Sequence, residues 1–310
     1  MAFDSYSHFW DQQASTTDGA IAAVDGSANE SIVQLTGQWS ANLVRAALTL
    51  KGSERVLELG CGVGRIGREL APYCGYWQGV DISHNMLKVA QARLAGQTNT
   101  GFCQLHRTSL EMLENESFDR AYSIAVFCHL DKEDLFLYLK ELYRVLNPHG
   151  LIYVETWNLA HPVGWKRWEL EVNHWARSDH RQRKDVARNQ FCTPDEFNLY
   201  LQGAGFKTLA CYTDSPWIQA IATKSALESE QESIKIVLRA KEHKIAYSPL
   251  FSTLFDRLLD VVSGLTHPKE YLAFLDAQEA SEENSMYRRY LLALWSSKED
   301  LWGATVINGV

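Results

Sequence analysis

No apolar stretch in the 310 residues reaches the roughly 20 residues that a membrane-spanning helix needs, so no membrane role is expected. The first residues, Met1-Ala-Phe-Asp-Ser-Tyr-Ser-His8, lack the basic stretch and apolar run of a secretory signal. Cysteine is sparse and unpatterned: Cys61, Cys74, Cys103, Cys128, Cys192 and Cys211 form no C-x-x-C pair. No two Cys or His stand at ligand-like spacing backed by a second pair, so no metal is expected. Most of these thiols fall in apolar segments, and reduced, buried cysteines in a cytoplasmic protein are the expected state. A cationic excess is missing too. Thirty Lys and Arg stand against 38 Asp and Glu, a net charge of −8, which argues against a general nucleic-acid surface and against DNA as a partner. Internal repeats and long low-complexity tracts are also absent.

What is present is enough apolar material, 46% of the chain, to bury the core of one large domain or two. The most informative segment is Arg55-Val-Leu-Glu-Leu-Gly-Cys-Gly-Val-Gly-Arg-Ile-Gly67, followed by Gly79-Val-Asp-Ile-Ser83. It reads as a buried strand, a glycine turn, a helix and a second strand ending in an acid, which is the layout of a nucleotide-type site on an open α/β sheet. Glycines let the backbone approach a ligand closely. Helix N-terminal amides face that ligand, and Asp81 is placed to accept hydrogen bonds from two ribose hydroxyls.

Gly62-Val-Gly-Arg-Ile-Gly67 fits the dinucleotide pattern G-x-G-x-x-G, but Asp81 comes early for such a site, where the acid lies roughly 20 or more residues on. The longer string fits better elsewhere. Glu58, Gly60, Gly62 and Gly64 fill an acid-x-Gly-x-Gly-x-Gly pattern that resembles motif I of the class I S-adenosylmethionine (SAM)-dependent methyltransferases. Phe118-Asp-Arg-Ala-Tyr-Ser-Ile-Ala-Val-Phe-Cys-His-Leu130 resembles that family's fourth-strand motif. Glu141 to Glu155, with its Pro148-His-Gly150 turn, resembles the next helix and fifth strand, and Ala204-Gly-Phe206 opens the sixth. The resemblance spans residues 35–224 and implies an α/β, Rossmann-like three-layer sandwich. Its sheet would be mostly parallel and seven-stranded, closed by an antiparallel hairpin.

A pass along the chain agrees with that architecture. Helical periodicity covers residues 39–50, 64–72, 83–94 and 132–146; strands are expected at 54–59, 76–81, 101–106, 119–127 and 150–156. The runs 209–212 and 217–222, split by Thr213-Asp-Ser-Pro216, read as the closing hairpin. Three parts lie outside the minimal fold. Residues 1–34, with Tyr6 and Trp10, read as an N-terminal flap over the cofactor and acceptor. Residues 157–193 insert four tryptophans (Trp157, Trp165, Trp168, Trp175) among Lys166, Arg167, Arg177, Arg181, Arg183, Lys184 and Arg188. That insert reads either as an amphipathic helix packing its Trp face or as a substrate lid. Residues 225–310 carry the stripe Phe251, Leu254, Phe255, Leu258, Leu259 and Val262, and a second at Tyr287, Tyr290, Leu291, Leu294 and Trp295, so a C-terminal helical extension is expected. Its apolar faces could dock on the domain, form a homodimer or meet a partner.

The resemblance also implies roles. Gly60, Gly62 and Gly64 would lie along the methionine part of SAM, with Glu58 supporting its amino group. Asp81 would hold the ribose, and Ile82 and Met86 would flank the adenine. Ser109 or the Leu110 backbone would stand in for an acid that many members place after strand three. His129 is the first candidate general base and His161 the second. Tyr6, Trp10, Trp157, Trp165 and Trp168 are candidate substrate contacts. The function so implied is methyl transfer from SAM, with S-adenosylhomocysteine as product, to an O, N or C nucleophile of a small acceptor, aromatic or acidic, as in secondary metabolism. A non-catalytic methyltransferase-like scaffold, a tRNA or protein methyltransferase and a nicotinamide enzyme are the other readings.

Overall fold

The computed structural model describes residues 2–178 and 189–305, with side chains from Tyr6 onward. Its centre is a sheet in the order β3-β2-β1-β4-β5-β8-β7. β1 (Arg55–Leu59), β2 (Tyr76–Asp81), β3 (Thr100–Gln104), β4 (Phe118–Ser123) and β5 (Leu146–Asn158) are parallel. β8 (Trp217–Thr223) runs antiparallel between β5 and β7 (Lys207–Tyr212). The expected seven strands are joined by an eighth, the two-residue β6 (Phe191–Cys192), which pairs with the far end of β5. Strand order reverses between β1 and β4, and in open α/β sheets the crevice at such a switch point, beyond the carboxyl ends of the strands, is where ligands bind.

Both faces of the sheet are covered, and side-chain alternation along β5 displays it. Ile152 and Val154 join a core with Leu135, Leu139, Phe197 and Leu201, from α6 (Lys132–Val145) and α8 (Pro194–Gly203). Leu151 and Tyr153 point the other way, toward Val44, Ile66 and Leu238. Those three come from α3 (Glu30–Ala47), α4 (Arg65–Leu70) and α9 (Glu228–Lys241). Burying both faces is why apolar side chains of the central strands point to both sides of the sheet.

Several boundaries differ from the sequence reading, three elements most clearly. α3 begins at Glu30, nine residues before the expected start at 39, because the Asn29 side chain accepts the Ser31 amide and caps it. β4 ends at Ser123, not 127: Ala125 takes φ +57 and the chain turns into a one-turn helix, Phe127–His129. β5 runs from Leu146 to Asn158, longer at both ends than expected.

Residues before α3 fold as α1 (Ala2–Gln13) and α2 (Thr17–Asp25) across the carboxyl edge of the sheet. Asp11 Oδ1 accepts from Ser83 Oγ at 2.6 Å and from the Asn85 amide at 3.1 Å, at the start of α5 (His84–Arg93). An acid there meets free amides and the positive end of the helix dipole. At the other side, the Asp131 amide donates to Tyr6 Oη at 2.9 Å, at the start of α6.

The insert holds α7 (Pro162–Trp175), tied by Lys166 to Asp256 at 2.6 Å and Asp260 at 2.8 Å. Trp157 is buried and stacks on Trp217 with ring centroids 4.0 Å apart, while Trp165 is half-exposed. Arg181, Arg183, Lys184 and Arg188 lie outside the described residues. After α9 come α10 (Pro249–Val262), α11 (Pro268–Asp276), α12 (Glu282–Ser296) and the short α13 (Glu299–Trp302). Phe251, Leu254 and Leu258 pack with Tyr287, Leu291 and Leu294 in a core of their own, and Val262, at the end of the predicted stripe, is half-exposed.

Helix α4 sits close on β2 because Gly67 leaves room for the buried indole of Trp77, whose Nε1 donates to Tyr122 Oη at 3.1 Å. A Cβ on Gly67 would lie 2.3 Å from Trp77 Cζ2. Gly67→Ala is therefore expected to lower stability by about 1–3 kcal/mol through overpacking, measured by urea unfolding; an unchanged midpoint would mean α4 slides freely over β2.

Candidate active site

The turn between β1 and α4 places three residues of five in the left-handed region: Gly60 at φ +73, Gly62 at +50 and Gly64 at +73. Side chains rarely tolerate that backbone, so the glycines are a steric requirement. The turn is also pressed against the loop after β4, since a Cβ on Gly60 would lie 2.3 Å from Val126 Cγ2. Beside it, Asp81 ends β2. Its Oδ2 accepts the Gly62 amide at 2.8 Å and its Oδ1 the Ser83 amide at 2.9 Å. Each oxygen keeps a second lone-pair direction for another donor. Burial pushes the Asp81 carboxyl up to about 6, against the pull of the Ser83, Gly62 and Ile82 amides.

Together these elements wall a cleft with ≈ 970 Å³ of free space, part of it open to solvent. Glu58, Gly60, Gly62 and Asp81 form its polar side. Ile82, Met86, Leu105, Leu130 and Tyr138 form an apolar side, and Tyr6 and Trp10 of α1 lie across it. Ile124 to Val126 and His129, from the loop after β4, complete it. Among the described residues no three His, Cys, Asp or Glu side chains are grouped to hold a metal.

Three ionisable groups give the cleft its character. Glu58 is fully buried; burial raises its carboxyl to about 8, opposed by the Tyr122 hydroxyl that donates to Oε2 at 2.5 Å. His129 Nδ1 is buried with no hydrogen-bond partner among the described residues, and the Trp10 ring meets the imidazole edge-on at 5.2 Å. Burial, with the positive charge of Arg167, drives the imidazole down to about 4, so the ring is neutral at physiological pH. Arg65 supplies the cation. Its Nη1 donates to Thr36 O at 3.2 Å and Ser40 Oγ at 3.1 Å, and its Nε lies 3.6 Å from Asp25 Oδ1.

The structure gathers Glu58, Gly60, Gly62, Asp81, Ile82, Met86, Tyr6, Trp10 and His129 around this one cleft. Other expected site residues lie off it. Gly64 is the N-cap of α4, packed near Leu94 and Ala90. Ser109 Oγ and the Leu110 amide both donate to Glu141 Oε2, at 3.2 and 2.7 Å, which ties their loop to α6 instead of the cleft wall. His161 caps α7, its Nδ1 accepting the Val163 amide at 3.2 Å. Trp157 and Trp168 belong to an apolar cluster with Phe191, Trp217 and Phe255, and Trp165 packs beside Trp168 on α7. Their helical spacing reflects packing, not a pocket. Sequence reasoning missed Arg65, Tyr138 and the α2 residues Ala23 and Val24, all of which line the cleft. For Arg65 a signal existed, because it directly follows Gly64 at the start of α4; for the others, only the three-dimensional packing brings them in.

A neutral His129 is checked directly by NMR: its ring resonances should stay unchanged between pH 5.5 and 8. Because its pKa when folded lies below the ordinary value, acidification through about 6.5 and below should favour unfolding. A midpoint near 6.5 in the folded protein would mean an imidazole open to water.

Residues 56–150 match the model of a family described as a methyltransferase domain. Over 139 residues, 44% of this chain, the sequence is 32% identical to the cyclopropane-fatty-acyl-phospholipid synthase of Escherichia coli (strain K12), and the match covers 34% of that protein. The chain thus spans about a third of that relative's length. Identity is also 32% to a Geobacillus sp. (strain WCH70) protein described as a methyltransferase, in an alignment of 199 positions that covers 53% of this chain and 78% of the other. Among solved structures, a Bacillus halodurans C-125 protein described as a methyltransferase superposes with a TM-score of 0.50 at 15% identity, over 60% of this chain and 99% of that one, a likeness of fold. With 78% of the Geobacillus relative matched at that identity and the glycine turn and sheet order on the page, the chain belongs to the class I SAM-dependent methyltransferase family.

Proposed function

We propose that the protein transfers a methyl group from SAM to an O, N or C nucleophile of a small, apolar acceptor. One observation carries this reading: a single cleft at the switch point of the sheet joins the glycine turn, Asp81, Arg65 and the unpartnered imidazole nitrogen of His129. The residues fit the cofactor. Asp81 has free lone pairs for two ribose hydroxyls, Ile82 and Met86 offer an apolar surface for adenine, and Arg65 offers a cation for the methionine carboxylate. When bound, SAM supplies an electrophilic methyl group on a sulfonium.

The chain's own part is positioning and exclusion of water, which can lower the barrier by several kcal/mol. α1, tied to α5 through Asp11 and to α6 through Tyr6, forms the flap that shields the cleft. His129 Nδ1 accepts a hydrogen bond from the nucleophile's O–H or N–H and takes its proton as the new bond forms. An apolar acceptor is supported by the lining, where apolar side chains, among them Leu105, Val126 and Leu130, outnumber the charged and imidazole groups Glu58, Arg65, Asp81 and His129. The Escherichia coli relative, named for a fatty-acyl-phospholipid, is consistent with an apolar acceptor.

Calorimetric titration with S-adenosylhomocysteine should give micromolar binding that Asp81→Ala abolishes. Because ligation needs the ionised Asp81 carboxylate, which titrates at about 6, affinity should fall roughly tenfold from pH 7 to pH 5; a flat profile removes Asp81 from the ribose role. His129→Ala should keep the ligand within a few-fold while turnover drops by about tenfold or more. Wild-type turnover in that variant excludes His129 as base.

A further inference from the structure

Arg65 is held from behind by a chain of contacts that begins in the C-terminal helices. Asp25, the last residue of α2, is 9% exposed. Its Oδ1 accepts from Thr36 Oγ1 at 3.0 Å and faces Arg65 Nε at 3.6 Å, while Oδ2 is buried without a partner among the described residues. The hydroxyl of Tyr290, on α12, donates to the Asp25 carbonyl oxygen at 2.9 Å. That hydroxyl lies 3.1 Å from where a Cβ on Gly26 would sit, and Gly26 at φ +73 is the residue that ends α2. A side chain 265 positions away thus fixes the end of α2 against Arg65.

A second tyrosine repeats the pattern on the opposite wall. Tyr247, between α9 and α10, donates to Glu155 Oε2 at 3.2 Å, and Tyr153 donates to the same oxygen at 2.9 Å. The backbone amide of Ala125, a cleft residue, also stabilises the Glu155 carboxylate. The Arg65 charge thus acts on two buried acids, Asp25 at 3.6 Å and Glu155, and hydroxyls of the C-terminal region bond the Asp25 carbonyl oxygen and the Glu155 carboxylate. With Nη1 on Thr36 and Ser40 and Nε toward Asp25, Nη2 of Arg65 makes no bond among the described residues, although the side chain lines the cleft. A guanidinium fork held on two of its nitrogens has its third pre-oriented, and less entropy is lost when an anion binds it.

We infer that Asp25 and Tyr290 are positioning residues for the Arg65 guanidinium, so that the C-terminal helices complete the amino-acid end of the cofactor cleft. The inference rests on the reading of the cleft as a SAM site with Arg65 facing the methionine carboxylate. It gives residues 249–296 a role in ligand recognition that a merely appended domain would not have.

Two ligands separate it from a general structural role. S-adenosylhomocysteine carries the amino-acid carboxylate; 5′-methylthioadenosine has the same adenosine and thioether but lacks the amino acid. The full-length wild type should prefer the first, and Arg65→Met should erase that preference. Tyr290→Phe should weaken S-adenosylhomocysteine about fivefold and Asp25→Asn about tenfold, with methylthioadenosine unchanged within about twofold. In the Arg65→Met background, Tyr290→Phe should add no further loss. Equal losses on both ligands, or no loss on S-adenosylhomocysteine in either single variant, overturn the inference and leave the cofactor reading standing. A wild type that binds neither ligand overturns the cofactor reading and the inference together.

Discussion

The backbone between β1 and α4 has to take three left-handed residues in a span of five, and much of the molecule is arranged around that requirement. Glycine is the residue that meets it without strain. The absence of side chains there lets Val126 come close from the β4 side and lets the Gly62 amide reach Asp81 from the β2 side. The turn therefore draws three strand ends together at the switch point of the sheet, and the cleft is the space left between them. Neighbouring glycines extend the same close packing: Gly67 and Gly79 both face the Trp77 ring, which seats α4 on the sheet.

Around this turn the protein buries four carboxyl groups. Glu58, Asp81, Asp25 and Glu155 are all buried, and burial raises the carboxyl of each above its ordinary value. Their partners are hydroxyls and amides: Tyr122 for Glu58, Ser83 and Gly62 for Asp81, Tyr153 and Tyr247 for Glu155. Such groups satisfy lone pairs without neutralising charge, so burial outweighs them and each carboxyl titrates above its ordinary range. Arg65 is the cation among them, and its charge lowers Glu58, Asp25 and Glu155 alike. An acidic cleft with one oriented guanidinium complements a ligand with net positive charge and a single carboxylate.

The peripheral segments are joined to the centre by polar pins as well as by apolar packing, such as Ala14 and Ala20 against Val63 and Met86. Asp11 and Tyr6 hold α1 at the starts of two helices, where backbone amides are otherwise unpaired. Tyr290 and Tyr247 do the same for the C-terminal region against Asp25 and Glu155. The C-terminal helices keep an apolar core of their own around Leu254, Tyr271 and Leu291, so the tyrosine contacts can tune the cleft without carrying the stability of the helices.

What the sequence alone determined was local and periodic. Short apolar runs named the strands, helical periodicity named several helices, and the spacing of Gly60, Gly62, Gly64 and Asp81 identified the turn, because that backbone admits few other residues. His129 was legible for the same reason, as the residue just beyond a recognisable strand. Only the tertiary structure decided which residues share the cleft. His161 and Ser109 sit in sequence positions that suggest a site, yet their polar atoms are taken by the Val163 amide and Glu141. The four tryptophans of the insert matched both a lid and a packing face, and Trp157 resolves toward packing because Trp217, sixty residues on, stacks against it. Arg65, Asp25 and Tyr290 lie in three distant parts of the chain. Their meeting depends on the folded sheet bringing α2, α4 and α12 to one corner, and no local pattern encodes such long-range contacts.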